Sequence, residues 1–375
     1  MNLLLAPNAM KGALSAIQIA AITGKTLRRK FRDVVVTSLP VADGGNGMLD
    51  CLMNELGGTV LRKEVTGPLP SLTVTARFGI TADGIGIIES AEAIGLHLIT
   101  PSPESIAQST SAGVGELINE LQRQHCKELW IGLGGSATND GGAGMARSLG
   151  VQLYDHNREP LEDGAVRLVN LSSIDTATFH MNDTTETNCP IKILSDVTNP
   201  LLGKHGATYT FARQKGASEE QLPYLEAALR NFSDVVESNI NNSKKEIPGS
   251  GAAGGLGFGL LAFCNGEIVS GIDFILDTIA FDKKLQECDA VVTTEGMIDE
   301  QTLFGKGLAG IAERARKYQK PVHVFVGRIQ GSRETLMTRL HLASLTEISP
   351  PGMKTAEALK NAPWLLADAL FHHTF

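Results

Sequence analysis

The chain is poor in the features that mark several large protein classes. It has only five cysteines (Cys51, Cys126, Cys189, Cys264 and Cys288), odd in number, scattered and without C-x-x-C spacing. That pattern argues against a disulfide framework and predicts reduced core thiols in a cytoplasmic protein. A basic excess is missing too: the formal net charge is −8, with both signs mixed along the chain. A nucleic-acid or anionic-membrane binder would carry a basic footprint, so no nucleic-acid or membrane partner is expected. An anionic small molecule stays open, because a local Lys or Arg cluster can reverse the field inside one cleft. The apolar stretch at 256–264 is far too short to span a bilayer. The opening residues lack a basic n-region and meet Pro7 and Lys11 early, so no signal peptide is expected. Sequence repeats, low-complexity tracts and obvious linkers are also missing.

Several catalytic signatures are absent. Gly134-Gly135-Ser136 breaks the G-x-G-x-x-G spacing of a dinucleotide fingerprint. Gly24-Lys25-Thr26 ends like a Walker A loop, but Ile19 stands where the first Gly is needed and the segment reads as helix. The nine histidines show neither H-x-x-x-H nor H-E-x-x-H spacing, and no metal cage is suggested. There is no G-x-S-x-G elbow, and Ser136 has no local His, so a hydrolase would need a distant one.

What is plentiful is glycine, 40 residues in 375. With no collagen-like period, the excess points to turns and close backbone approaches. A hydrophobic content of 42% and a charged content of 20% suit a folded globular enzyme with a sizeable core. The length favours two or three domains, and two large α/β domains would fit.

Periodicity predicts strands at 3–6, 34–39, 74–78, 85–89, 129–133, 191–194, 290–293 and 322–326. Helices are expected after Ser15 as N-cap, at 48–56, at 111–123, after Gly144 through Leu149, at 219–242, and after Gly307 through Tyr318. Gly-rich loops are expected at 40–47, 134–144, 248–259 and 295–307. Strand–loop–helix alternation at this rhythm indicates parallel α/β sheets, which bind ligands at the C-terminal strand edge.

The loops there carry the candidate groups. Gly134, Gly135, Ser136, Thr138, Asn139 and Asp140 would let backbone N–H groups and short polar side chains approach a phosphate. A turn that only packs a helix on a sheet would look the same. Asp43 could hold Mg²⁺, accept a substrate proton or merely cap a helix, and Asp196 has the same ambiguity. Glu295 and Asp299, with Lys306 close behind, suit a Mg–nucleotide site. Lys215 lies beside Gly216, and Gly254 and Gly255 offer another close-approach loop. Lys11 could pair with a carboxylate or phosphate, although a single exposed Lys is more often merely solvated.

Five segments together resemble the bacterial glycerate kinases of the type that phosphorylates position 2. They are Ala6-Pro7-Asn8-Ala9-Met10-Lys11-Gly12-Ala13-Leu14-Ser15-Ala16, Pro40-Val41-Ala42-Asp43-Gly44-Gly45, and the run from Gly132 to Gly144. The fourth is Asp196-Val197-Thr198-Asn199-Pro200-Leu201 with Gln214-Lys215-Gly216-Ala217. The fifth is Gly251-Ala252-Ala253-Gly254-Gly255 leading to Glu295-Gly296-Met297-Ile298-Asp299 and Gly305-Lys306. Each motif is weak alone; five in order, over about residues 3–327, are specific. The resemblance implies two unequal α/β domains with an active-site cleft between them. One is discontinuous, at 1–66 plus 285–375, and the other is inserted, at 67–284. It implies phosphoryl transfer from ATP to D-glycerate with Mg²⁺, and leaves room for an oligomer. Asp43, Asp196 and Lys11 are the catalytic candidates. Gly134, Gly135, Ser136, Thr138, Asn139, Asp140, Lys215, Gly254, Gly255, Glu295 and Lys306 are the substrate- or ATP-binding candidates. Asp196 and Asp299 are the Mg²⁺ candidates.

The chain departs from the family pattern at Asn8, Ala9, Met10, Asn46, Met48, Met297 and Leu308. At Met297 an Arg is usual, so a bidentate cation is lost there. Other readings stay open: another small hydroxy acid, the 3-hydroxyl as acceptor, a nucleotide-dependent oxidoreductase, or a catalytically weak metabolite-binding protein.

Overall fold

In the computed structural model the first helix, Ala16–Lys30, begins at the expected N-cap. Ser15 Oγ accepts the Gln18 N–H at 3.2 Å, and Gln18 Oε1 accepts the Ser15 N–H at 2.9 Å. This reciprocal capping box satisfies two donors that the first turn leaves without helical partners. The structure describes residues 1–179, 189–240, 243–299 and 306–375.

Among the described residues the strands are β1 Asn2–Leu5, β2 Val35–Ser38, β3 Gly58–Thr66, β4 Thr73–Thr81 and β5 Ile85–Glu89. There follow β6 Glu128–Gly132, β7 Gln152–Tyr154, β8 Ser173–Asp175 and β9 Ile191–Leu194. The last are β10 Glu267–Val269, β11 Ala290–Ile298, β12 Val322–Ile329 and β13 Ser344–Glu347. They belong to two compact units. Unit 1 comprises Met1–Asp43, Asp50–Leu56 and Ile272–Phe375; unit 2 comprises Gly44–Leu49 and Gly57–Gly271.

Unit 1 holds a fully parallel sheet in the order β13-β12-β11-β1-β2. Leu3 and Leu5 of β1 and Val292 of β11 face a core completed by Ile19 and Leu27 of the first helix and by Leu365, Leu366 and Leu370 of helix Thr355–His372. Each fully buried leucine stabilises by about 2 kcal/mol relative to exposure. β11 runs past the expected 290–293, because Glu295, Met297 and Ile298 stay in register with Val326, Arg328 and Ile329 of β12. Glu295 therefore sits within a strand rather than in a loop.

Unit 2 holds a mixed sheet in the order β10-β9-β6-β5-β4-β3. β5, β6, β9 and β10 are parallel, whereas β3, β4 and β5 pair antiparallel. The Asp83-Gly84 turn joins β4 to β5 as expected, with Gly84 at φ +82°. Val114, Leu117 and Leu121 of helix Ala112–Arg123 are buried in the same core as Ile131, Leu149, Leu229 and Phe232. The segment expected as a loop at 248–259 is instead a left-handed turn at Ala253, Gly254 and Gly255, enclosed in helix Ala252–Phe263. Leu256, Phe258 and Leu260 of that helix join the core, which offsets the unfavourable turn.

All five cysteines are free and buried. Among the described residues no helix is long and apolar enough to cross a membrane.

Candidate active site

The sheet of unit 1 has a topological switch point. β1 leads to β2 on one side, while its other neighbour, β11, leads to β12 in the opposite direction. The loops leaving β1 and β11 therefore diverge at the C-terminal edge, where open α/β sheets bind ligands. Two threonines of β11 fix this place. Thr293 Oγ1 donates to the Ala6 carbonyl at 2.7 Å, and Thr294 Oγ1 donates to the Asn8 carbonyl at 2.7 Å. Asn8 Nδ2 then donates to Glu295 Oε2 at 3.0 Å.

Four sequence candidates of this unit lie at these strand ends. Asp43 and Lys11 both act electrostatically on Glu295, one from the β2 end and one from the β1 end. Burial pushes the Glu295 carboxyl up to about 7. The Asn8 amide opposes the rise, the negative charge of Asp43 adds to it, and the Gly296 N–H and Lys11 oppose it. Asp43 and Glu295 are half-buried, and Lys11 is exposed. Asp299 follows directly at the end of β11. Met297, on the same strand, is 47% exposed. Lys306 heads helix Lys306–Lys317, and its side chain lies outside the described residues.

The loop after β6 in unit 2 is built differently. Asp140 is buried, and its carboxylate accepts hydrogen bonds from the Ser111 N–H (2.7 Å), the Ser111 hydroxyl (2.8 Å), the Gly142 N–H (3.2 Å) and the Gly144 N–H (3.0 Å). Burial raises its pKa and these bonds lower it. Lys215 is buried beneath the same loop, donating to Ser136 Oγ at 3.2 Å and to the Thr138 carbonyl at 2.7 Å. Burial brings the Lys215 ammonium down to about 7, opposed by the negative charge of Asp140. The Asn139 N–H donates to Ser109 Oγ at 3.1 Å, and Asn139 Nδ2 to Thr208 Oγ1 at 3.2 Å.

The glycines of this region make room for other backbone. A Cβ on Gly134 would fall 2.4 Å from Gly45 Cα, and the Gly134 N–H donates to the Gly44 carbonyl at 3.2 Å. Gly135 likewise lies against the Asn46 side chain. Gly254, at φ +66°, would put a Cβ 1.9 Å from the Thr138 carbonyl oxygen, and its own carbonyl accepts the Gly141 N–H at 3.0 Å. Gly255 abuts Gly141 Cα. The close approaches expected toward a phosphate are thus made, at these glycines, to the 44–46 and 138–141 segments.

Asp196 follows β9 and accepts a hydrogen bond from Ser270 Oγ, just beyond β10, at 3.1 Å. Among the described residues no group of three or more His, Cys, Asp and Glu is placed to cage a metal. Mg²⁺ needs no such cage: one or two carboxylates complete its shell together with phosphates and water. Carboxylate oxygens, which Asp196 and Asp299 both carry, are hard donors of the kind it takes.

Sequence reasoning missed Glu89. It ends β5, is buried, and accepts the N–H groups of Gly47 (3.0 Å) and Leu49 (3.3 Å). Burial pushes it up to about 7 against those two bonds, with Glu92 raising it further and Arg77 lowering it. Its signal in the sequence was a lone acid closing the apolar run Ile85–Ile88 before Ser90-Ala91.

A family model of the glycerate kinase family matches residues 3–372. A glycerate kinase of Bacillus subtilis is 36% identical over 96% of this chain and 94% of its own length. A glycerate 2-kinase of Escherichia coli is 38% identical over 88% of this chain and 86% of its own. A solved structure from Salmonella typhimurium LT2, described as a glycerate kinase 2, superposes with a TM-score of 0.82 at 34% identity, covering 99% of this chain and 96% of that one. With α/β units and carboxylate-bearing strand ends, these likenesses define a kinase. The chain belongs to the glycerate kinase family.

Proposed function

We propose that the protein transfers the γ-phosphoryl group of ATP to the 2-hydroxyl of D-glycerate, giving 2-phosphoglycerate and ADP. The observation that carries the reading is the grouping of Asp43, Glu295, Asn8 and Lys11 at the switch point of unit 1, in a chain of the glycerate kinase family. The relative named glycerate 2-kinase supports the 2-hydroxyl as acceptor.

In the proposed step the 2-hydroxyl oxygen attacks the γ-phosphorus. The bond from that phosphorus to the β,γ-bridging oxygen breaks, and Asp43 takes the hydroxyl proton. Lys11 neutralises the glycerate carboxylate or a phosphate oxygen. Glu295, tied to Asn8, sets the charge beside Asp43. Mg²⁺, when bound, supplies charge neutralisation on the phosphates, and Asp299 and Asp196 are the separate candidates for holding it. Lys306 is assigned to ATP phosphates. Within unit 2, Lys215, Asp140, Ser136, Thr138 and Asn139 shape a binding loop packed on Gly134, Gly135, Gly254 and Gly255. Five buried free thiols suit a reducing cytoplasm.

The test is product identification by phosphorus NMR after incubation with D-glycerate, ATP and Mg²⁺. A 2-phosphoglycerate signal supports the reading, and 3-phosphoglycerate moves the acceptor to the other hydroxyl. No ADP above background, from folded protein that binds ATP, would leave a metabolite-binding protein. Omitting Mg²⁺ should abolish turnover.

A further inference from the structure

Three metal-ligating atoms meet where β12 and β13 begin, at the edge of the unit 1 sheet opposite the strand ends that carry Asp43 and Glu295. The two strands run parallel, with His323 in register with Ser344. Register partners on neighbouring strands stand side by side, about 5 Å apart. Here Ser344 Oγ lies 2.9 Å from His323 Nδ1. His373, directly after helix Thr355–His372, closes the group. Its Nε2 is 3.0 Å from His323 Nδ1 and 3.3 Å from Ser344 Oγ. The two histidines are 50 residues apart, so no short His spacing announces them.

Three polar atoms in a closed triangle are awkward as hydrogen bonds. Each ring nitrogen has one lone pair or one N–H along a single line in the ring plane, and the serine has one hydrogen. Each atom nevertheless has two close neighbours. A single cation over the triangle would take a lone pair from all three. The size fits such an ion. Donors about 2.0–2.1 Å from a zinc ion stand about 3.3 Å apart in a tetrahedron. At the right angles of an octahedral or square-planar ion they stand about 2.9 Å apart. The edges of 2.9, 3.0 and 3.3 Å span those two values.

The surroundings suit ligation as well. Neutral imidazole is the ligating form. Burial, then the charge of His373, brings His323 down to about 4; burial, then Lys30, lowers His373. The Lys30 ammonium faces the group from the first helix and donates to the Leu370 and His373 carbonyls, which fixes the His373 backbone. The Phe375 ring stands edge-on 5.1 Å from that of His323 and 4.7 Å from that of His373, and Phe325 is 5.1 Å from His373. An apolar wall of this kind limits competition from water. Ser344 and His373 are half-buried, so an ion and a water ligand can enter from solvent.

We propose that His323, Ser344 and His373 bind a divalent transition-metal ion of the zinc type, with water completing its shell. The ion would staple the end of helix Thr355–His372 to the starts of β12 and β13. It is distinct in chemistry from the Mg²⁺ of phosphoryl transfer, because imidazole suits zinc, nickel and copper whereas carboxylate and phosphate oxygens suit magnesium. Two histidines and a hydroxyl carry it, without a third His, Cys, Asp or Glu. The site does not rest on the glycerate reaction.

The test is calorimetric titration with ZnCl₂ of the full-length protein, stripped with a chelator and kept in excess Mg²⁺ to occupy carboxylate sites. One equivalent should bind in the micromolar range. His323→Ala and His373→Ala should each weaken that step at least about 100-fold, and Ser344→Ala about tenfold. In proton NMR the ring resonances of His323 and His373 should shift as zinc is added. Zinc should raise the Tm of the wild type and leave that of His373→Ala where it was. Wild-type protein that takes up no zinc would overturn the site. So would a His373→Ala variant that binds zinc as tightly as wild type, or zinc uptake that leaves both rings unmoved. His373 is half-buried and lies outside any helix or strand, so its variant decides the matter even if the buried His323→Ala fails to fold.

Discussion

The two units carry similar-looking loops, Gly-rich and acid-bearing at strand ends, and use them differently. In unit 1 the charged groups stay partly open: Lys11 is exposed, and Asp43 and Glu295 are half-buried at a switch point. In the loop after β6 of unit 2 they turn inward: Asp140 accepts four hydrogen bonds and Lys215 donates two, both out of water. Among the described residues the parallel strands of unit 2 are ordered sequentially across the sheet, so no switch point opens among them. A strand-end acid is thus a chemical group where neighbouring loops diverge, and a girder where they fold over one another.

That contrast can be broken by substitution. Asp43→Asn should lower kcat by about 1,000-fold in a protein that still folds, since a positioned general base is worth two to four orders of magnitude. Near-wild-type turnover in a folded variant would end the assignment. Asp140→Ala should do the reverse first. It strands four buried donors and should cost about 3 kcal/mol of stability, read from urea unfolding. A variant as stable as wild type would mean that this carboxylate is not structural.

Two pH effects sharpen the comparison further. Lys215 has its folded-state pKa depressed from 10.5 to about 7. Between those values the unfolded chain holds more protons, so stability rises with pH and is lost as pH falls through 7. Wild type should gain about 2 kcal/mol between pH 7 and pH 9, and Lys215→Met should lack that gain. Parallel pH curves for the two proteins would contradict the buried-cation account. Glu295 is the opposite case, raised from 4.5 to about 7. The folded state holds the extra proton in that window, so its contribution is present below 4.5 and lost as pH rises through 7. Glu295→Gln should be more stable than wild type at pH 8, by about 1 kcal/mol after allowing for water's access, while turning over more slowly. A variant that loses stability at pH 8 would show that its hydrogen bond to Asn8 outweighs the burial penalty.

Much of this was legible locally. The Ser15 cap, helix Met48–Leu56, β9 and the hairpin at Gly84 follow from residues within a few positions of one another. What escaped depends on distant partners. β3 was missed because Arg62, Lys63 and Glu64 interrupt its apolar pattern on an edge strand, where only β4 supplies a neighbour. The extension of β11 through Gly296 depends on β12, some thirty residues on. The same holds for the site. Asp43, Lys11 and Glu295 could be picked out as strand-end groups, and the structure brings them together. Glu89 could not, because its two donors lie 42 and 40 residues upstream. Nor could the sequence tell that Gly134 and Gly254 face protein backbone, since a glycine records that something comes close without recording what.

The buried thiols have a practical corollary. Only a thiolate attacks maleimides and similar reagents. Burial keeps the native thiols from solvent and pushes Cys189 and Cys264 up to about 12, so the folded enzyme is nearly silent toward such labels at neutral pH. A cysteine introduced at the exposed Met297 would then stand as a single addressable handle, two residues from Glu295. A fluorophore attached there would report on ligand arrival without any native cysteine having to be removed.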